Sequence, residues 1–255
     1  MKNYLVQRTK YKLQDTPPSG FTMVEMAIVL VVVGLLIAGV MTGRSMIRKA
    51  QLSSIIVDVG KYKSAVLDFK LKYLDLPGDI GDAFNYWGAN CATSAGLCNG
   101  DSNGQISIGV LDEDTKAWVH LSLAGFVDGS FTAGGDPNPP INIPGSDLGQ
   151  NVGFWLRVYT NPALYLPANV TENIITFGIL NGTAVDGGVI TAQEAWSIDR
   201  KIDDGDADSG QGFIWATDGT GAGQNNCVDG TNEYILTNET DRDCVLHFRF
   251  NATLN

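Results

Sequence analysis

A chain of 255 residues, 44% hydrophobic and only 18% charged, is long enough for one sizeable globular domain together with a segment that lies outside it. A formal net charge of -11 argues against sequence-independent nucleic-acid binding, because phosphate contacts need clustered Lys and Arg, and the one short basic cluster is Arg44, Arg48 and Lys49. Four cysteines that never form CxxC, and two histidines without zinc-site spacing, argue against a structural or catalytic zinc.

The first 20 residues form a polar, basic leader in which Lys2, Arg8, Lys10 and Lys12 outweigh Asp15, a local charge of +3. An apolar run from Phe21 to Gly43 follows, interrupted by the single charge of Glu25, and it is long enough to enter a bilayer as a helix. A secretory signal places its small-residue cleavage site after the apolar stretch. Here Ser19-Gly20 stands before it, so a cut after Gly20 leaves the apolar helix on the product. Arg44, Arg48 and Lys49 then read as an interfacial anchor. An ionisable group at the centre of a membrane helix costs about 2.5 to 3.5 kcal/mol, so Glu25 calls for a partner.

The order Gly20-Phe21-Thr22-Met23-Val24-Glu25 ahead of an apolar run resembles the processing segment of type IV pilins and of type II secretion pseudopilins. The resemblance implies that a membrane-embedded prepilin peptidase cuts between Gly20 and Phe21 and methylates the new amine of Phe21. That amine, four residues before Glu25, then lies on the same helix face as the carboxylate. In a stack of identical helices, Glu25 could instead pair with the Phe21 amine of a neighbouring subunit and set the axial register. Implied partners are other pilins or pseudopilins, the peptidase and an inner-membrane assembly platform. The implied location is the bacterial inner membrane with a periplasmic domain, then a filament at the cell surface.

Helical spacing continues beyond Arg44. Leu52, Ile55, Val59, Tyr62, Val66, Phe69 and Tyr73 recur at intervals of three and four, interleaved with Lys61, Lys63, Asp68, Lys70 and Lys72. No proline occurs between Pro18 and Pro77, which predicts one helix from about Thr22 to Leu74. It divides into an apolar half, 21–43, and an amphipathic half, 44–76, with the globular part at 77–255. Gly34, Gly39, Gly43 and Gly60 are points of bending or close packing. Pro77-Gly78 ends the helix, and "LPGD" followed by "YWG" is similar to the segment after the long helix in a group of large pilin-like proteins. Looser similarity extends through "WVHLSLAG" at 118–125 and "EAWSIDRKIDDG" at 194–205.

In the globular part, "DTKAWVHLSLAGF" predicts a helix from Asp114 or Thr115 to Gly125 with Trp118, Leu121 and Ala124 inward. Thr191 and Glu194 form a capping box ahead of a second helix, with Trp196 in the core. Strands are expected at "VGFWLRVYT", "NIITFGIL", "GFIWAT", "EYILT" and "CVLHFRF". In the last, Cys244, Leu246, Phe248 and Phe250 share one face and Val245, His247 and Arg249 the other. The expected fold is therefore α+β, a long N-terminal helix packed on an antiparallel sheet in the pilin-like manner, with the Gly/Pro-rich stretch 131–151 as a surface recognition loop.

Cysteines downstream of a membrane segment suggest disulfides. Three pairings are possible, and the shortest loops favour Cys91 with Cys98 and Cys227 with Cys244. The sequence presents no evident catalytic constellation, so an assembly subunit is expected and not an enzyme. The competing reading is a membrane-anchored, lectin-like or enzymatic periplasmic domain. Two loops have the alternating oxygen ligands of Ca²⁺ sites: Asn99, Asp101, Asn103 and Gln105 with Gly104 at the turn, and Asp204, Asp206 and Asp208. In the first, Val110 occupies the place of the distal bidentate Glu, and Asp112, Glu113 and Asp114 follow it. Ca²⁺ is the only cofactor these loops suggest, and some pseudopilins need it to fold.

Overall fold

The computed structural model describes residues 20–109, 111–160, 171–207, 213–219, 226–231, 233–237 and 240–250. The basic leader up to residue 19, Asp208 and Gly212 lie outside them. The chain divides into two units, Met1–Ile47 and Arg48–Asn255.

Helix α1 spans Met23–Tyr73. Its residues in the first unit are exposed almost throughout, with Leu30, Leu35 and Leu36 each more than 60% accessible. This stretch is long and apolar enough to cross a membrane. In the second unit, Leu52, Ile55, Val59, Tyr62, Val66 and Phe69 are buried, as the three-four spacing predicts; Ala65 joins them, and Tyr73 is half-buried.

Among the described residues, five antiparallel strands form one sheet: β1 (Val152–Thr160), β2 (Thr171–Asn181), β3 (Ala184–Gly187), β4 (Ile214–Asp218) and β5 (Cys244–Arg249). Their order is β1-β2-β5-β4, with β3 paired to β2. The register puts Phe154 opposite Phe177, Leu156 opposite Ile175, Phe177 opposite Leu246 and Ile214 opposite Phe248. These side chains line the face toward α1. Tyr62 meets the edges of Trp118 and Phe154 at centroid distances of 4.9 and 5.1 Å, locking helix and sheet together.

Two expectations need correction, at "EYILT" and at Trp196. The second face of the sheet is covered as well: Trp155, Ile174, Thr176, Trp215, Val245 and His247 are all buried. His247 sits between Thr176 Oγ1 at 3.1 Å and Thr217 Oγ1 at 3.0 Å, and its complete burial holds its pKa well below the usual value. The stretch "EYILT" contributes only an isolated bridge between Val228 and Tyr234. Trp196 is half-buried, its ring covered by Arg200 at 4.8 Å.

Short helices α2 (Ala83–Trp87) and α3 (Ala95–Cys98), with a 3-10 turn between them, follow α1. Helix α4 (Glu113–Leu123) is buried from Glu113 to Leu121, a central element with no solvent face there. Helix α5 (Ala192–Ile202) begins in a complete capping box: Thr191 Oγ1 accepts from the Glu194 amide, and the Glu194 carboxylate accepts from the Thr191 amide. The same carboxylate receives both Nε and Nη2 of Arg48 at 2.6 Å. Disulfides join Cys91 to Cys98 and Cys227 to Cys244, the pairing that the short loops favour.

Candidate functional site

The processing segment is built by its own backbone. Gly20 and Phe21 precede the helix, and Phe21 is 79% exposed. The carbonyl of Thr22 accepts the first helical hydrogen bond, from the Met26 amide at 3.2 Å, which makes Thr22 the N-cap. Thr22 Oγ1 accepts from the Glu25 amide at 3.2 Å, and Glu25 Oε2 accepts from the Thr22 amide and hydroxyl at 2.8 Å each. Glu25 is thus the third residue of a capping box, a partner that the sequence reading missed although T-x-x-E is its signature.

The first acidic loop is organised differently from its sequence pattern. Asn99 Oδ1 accepts from the Phe84 amide, and Asn103 Oδ1 accepts from the Gln105 amide, so both side-chain oxygens are engaged by backbone. Gln105 is exposed. Asp101 joins a convergent group of carboxylates with Asp79 and Glu113, whose ligand oxygens lie within 4.8 Å of one another, and the Asn103 side chain donates to Asp101 at 2.9 Å. Asp79 and Glu113 are fully buried. Asp79 accepts from the Asn103 and Gly104 amides at 2.9 and 2.8 Å; Glu113 accepts from the Asp101 and Ser107 amides at 3.0 and 2.9 Å.

Two glycines permit this convergence. A Cβ on Gly100 would lie 2.4 Å from the Asp79 backbone, and one on Gly78, with φ of +88°, would lie 2.2 Å from the Glu113 carbonyl oxygen. Asn173 of β2 fastens the loop to the sheet, accepting from the Ile106 amide and donating to the Gly104 carbonyl. Burial raises the Asp79 pKa to about 7 against the pull of its two amides, with Asp75 and Glu113 adding to the rise. Burial also raises Glu113.

The donor chemistry fits a hard divalent cation. Three carboxylates converge, and each oxygen that accepts one amide keeps a second lone-pair site. Asp79, Asp101 and Glu113 are the residues that would hold Ca²⁺, which would supply positive charge where burial now disfavours ionisation. Glu113 was legible only as part of the acidic run 112–114, and Asp79 only as the residue closing "LPGD".

His120 pins this region from below. Its Nδ1 accepts from the Gly78 amide at 2.9 Å and its Nε2 faces the Cys98 carbonyl at 3.0 Å, which assigns the proton to Nε2. Burial lowers its pKa to about 4, and the rings of Phe69 and Trp87 stack on it. Cys91 and Cys98 approach His120, but their sulfurs are bonded to each other and offer no thiolate.

Residues 100–104 spell G-D-S-N-G, the letters of a nucleophile elbow, which corrects the reading that the sequence holds no G-x-S-x-G. The context differs: no strand leads in and no helix follows. Ser102 has a φ of +56°, but its hydroxyl donates to Asp75 at 2.7 Å and accepts from the Gly81 amide, with His120 engaged elsewhere.

The second acidic loop lies beside a cleft of about 380 Å³ lined by Trp196, Asp204, Asp206, Glu233 and Tyr234. Asp204 accepts from the Asp206 amide at 2.9 Å. Behind it, buried Asp199 accepts from Tyr234 Oη at 2.8 Å and the Gly205 amide at 3.1 Å, and burial raises its pKa to about 6. The Gly/Pro-rich stretch shapes a separate cleft of about 570 Å³ between Pro139, Pro140, Ser146, Asp147 and Asn151.

Comparison of the chain with protein-family models, with curated proteins and with solved structures finds no match.

Proposed function

We propose that the chain is a type IV pilin-like subunit, a prepilin or pseudoprepilin. It is cut after Gly20, methylated on Phe21 and assembled into a filament through residues 21–43. One observation carries the reading: the apolar stretch 21–43, whose large side chains are exposed, begins with an exposed Gly-Phe bond and holds its single charge, Glu25, in the first turn of α1. Within a bilayer such a helix satisfies its backbone internally. In a filament the lipid contacts are exchanged for neighbouring helices, and Glu25 turns from Thr22 toward the cationic amine of a neighbour. The disulfide-stapled domain then stands in the periplasm or on the filament surface.

The partners are copies of this chain or related subunits, the prepilin peptidase and the inner-membrane assembly platform. The work of the protein is assembly. The test is fractionation of sheared filaments from cells that express the chain with the peptidase. Its presence there supports the subunit; its confinement to the membrane overturns it.

A second reading draws on the cleft at Pro139 and Pro140. In it the helix serves only as an anchor, and the domain binds a ligand at the membrane surface. That reading expects the membrane fraction alone to contain the protein.

A further inference from the structure

The hydrogen bonds around Thr22 do more than end a helix neatly. They decide where it begins. An N-cap side chain and its partner three residues on satisfy two amides that would otherwise lack acceptors, so they fix the helix start against neighbouring alternatives. The sequence holds such an alternative: Ser19, another good N-cap residue, lies three positions upstream. A helix begun at Ser19 would take Gly20 and Phe21 into its first turn. With Thr22 as the cap, Gly20 and Phe21 stay outside the helix, and both are exposed.

Peptidases act on chain that can leave regular structure, and cleavage concentrates at exposed segments with few backbone hydrogen bonds. We infer that Thr22 is a positioning residue for processing. By closing the reciprocal cap with Glu25, it starts the helix at Met23 and presents the Gly20–Phe21 peptide as non-helical chain. Water adds across that amide, leaving a carboxylate on Gly20 and an amine on Phe21. The inference rests on the processing site proposed above and assigns Glu25 a role before cleavage as well as after it.

The two roles of Glu25 separate by chemistry. A capping box needs an acceptor at this position, which Gln supplies as well as Glu. Pairing with an amine needs the negative charge. Glu25→Gln therefore keeps cleavage near the wild-type rate, while Thr22→Val, which removes the hydroxyl and keeps the shape, slows it.

The experiment follows cleavage of the full-length detergent-solubilised precursor by purified prepilin peptidase, with the helix start read from backbone chemical shifts of residues 19–25. A cap is worth enough to lower the rate about three- to tenfold when lost. We expect that loss in Thr22→Val, with helical shifts spreading to Gly20 and Phe21, and recovery in Thr22→Ser. A wild type that is not cut at Gly20 overturns the processing reading and this inference with it. A wild type cut at Gly20, beside a Thr22→Val variant cut equally fast, overturns this inference alone. Slow cleavage of Thr22→Val with an unmoved helix start, or equal slowing in Thr22→Ser, assigns Thr22 to direct recognition by the peptidase and overturns it too.

Discussion

Residues 23–47 and 48–73 belong to one helix, and they are apolar in different ways. The second stretch has an apolar stripe whose members from Leu52 to Phe69 are all buried in the core of the domain. The first is apolar on all sides, and none of its large side chains is buried. A stripe is an instruction to fold, because one face can be covered by a domain of this size. An all-round apolar surface instead needs a bilayer or a bundle of other helices. The part of the helix that the fold does not use is the part from which the proposed function is read.

Truncating side chains on either side of Ile47 should break this comparison if it is wrong. Phe69 is fully buried among Tyr73, Trp87, His120 and Phe126. Phe69→Ala should lower stability by about 3–5 kcal/mol in urea unfolding of the detergent-solubilised chain followed by tryptophan fluorescence. Leu36→Ala, at a position 63% exposed, should stay within about 0.5 kcal/mol in the same measurement.

Calcium should act on the second unit alone. If Asp79, Asp101 and Glu113 hold the ion, Ca²⁺ at a hundredfold excess over its Kd should stabilise the domain by about 2.7 kcal/mol. Chelator should reverse the gain, and the double variant Asp79→Asn, Glu113→Gln should abolish it. An unmoved melting temperature in wild type would remove Ca²⁺ from the account while leaving the helix argument intact.

The two arginines at the division sharpen the contrast further. Arg48 makes a bidentate pair with Glu194, both side chains being about one-fifth exposed. Burial alone would raise the Glu194 pKa, but the hydrogen bonds from Arg48 and the Thr191 amide hold it below the usual value. Arg48→Ala should cost about 1–3 kcal/mol. Exposed Arg44, one turn earlier, should cost within about 0.5 kcal/mol when replaced by Ala.

The smallest effect is with pH. Asp79 keeps its proton up to about pH 7 in the folded chain but releases it near its ordinary 3.8 when unfolded. Asp114 and Asp199, raised to about 6 by burial, follow the same pattern. In these windows the folded state binds more protons, so stability falls as pH rises. His120 has the opposite sign: its folded pKa of about 4 lies below its ordinary 6.5, so its share is lost as pH falls between them. Buried His247 acts in the same direction. The carboxyl groups, with raised Glu113 among them, outnumber the histidines. Thermal melts without Ca²⁺ should therefore give a lower midpoint at pH 7 than at pH 5, with a reduced slope in Asp79→Asn.

Much of the architecture was legible because it is written locally. Three-four spacing gave the stripe from Leu52 to Phe69, T-x-x-E gave the start of α5, and short loops gave both disulfides. What stayed hidden depends on distant pairs. Asp79 and Glu113 are 34 positions apart in sequence and meet only because Gly78 and Gly100 let two backbones touch. Alternation in β5 was real, but burial of both sheet faces is a property of the layers around it and cannot be read from period two. Strand β3 was missed because four residues carry too little pattern, and "EYILT" was overread for the same reason. At Glu25 the charge drew notice and the T-x-x-E cap did not, although the two readings concern the same carboxylate.

The central claim is that the exposed half of α1 is a processed assembly helix. Intact-mass analysis of the chain recovered from sheared filaments of peptidase-competent cells tests it most directly. The account predicts a polypeptide that begins at Phe21 and carries one added methyl group. A filament chain that still begins at Met1 would contradict it.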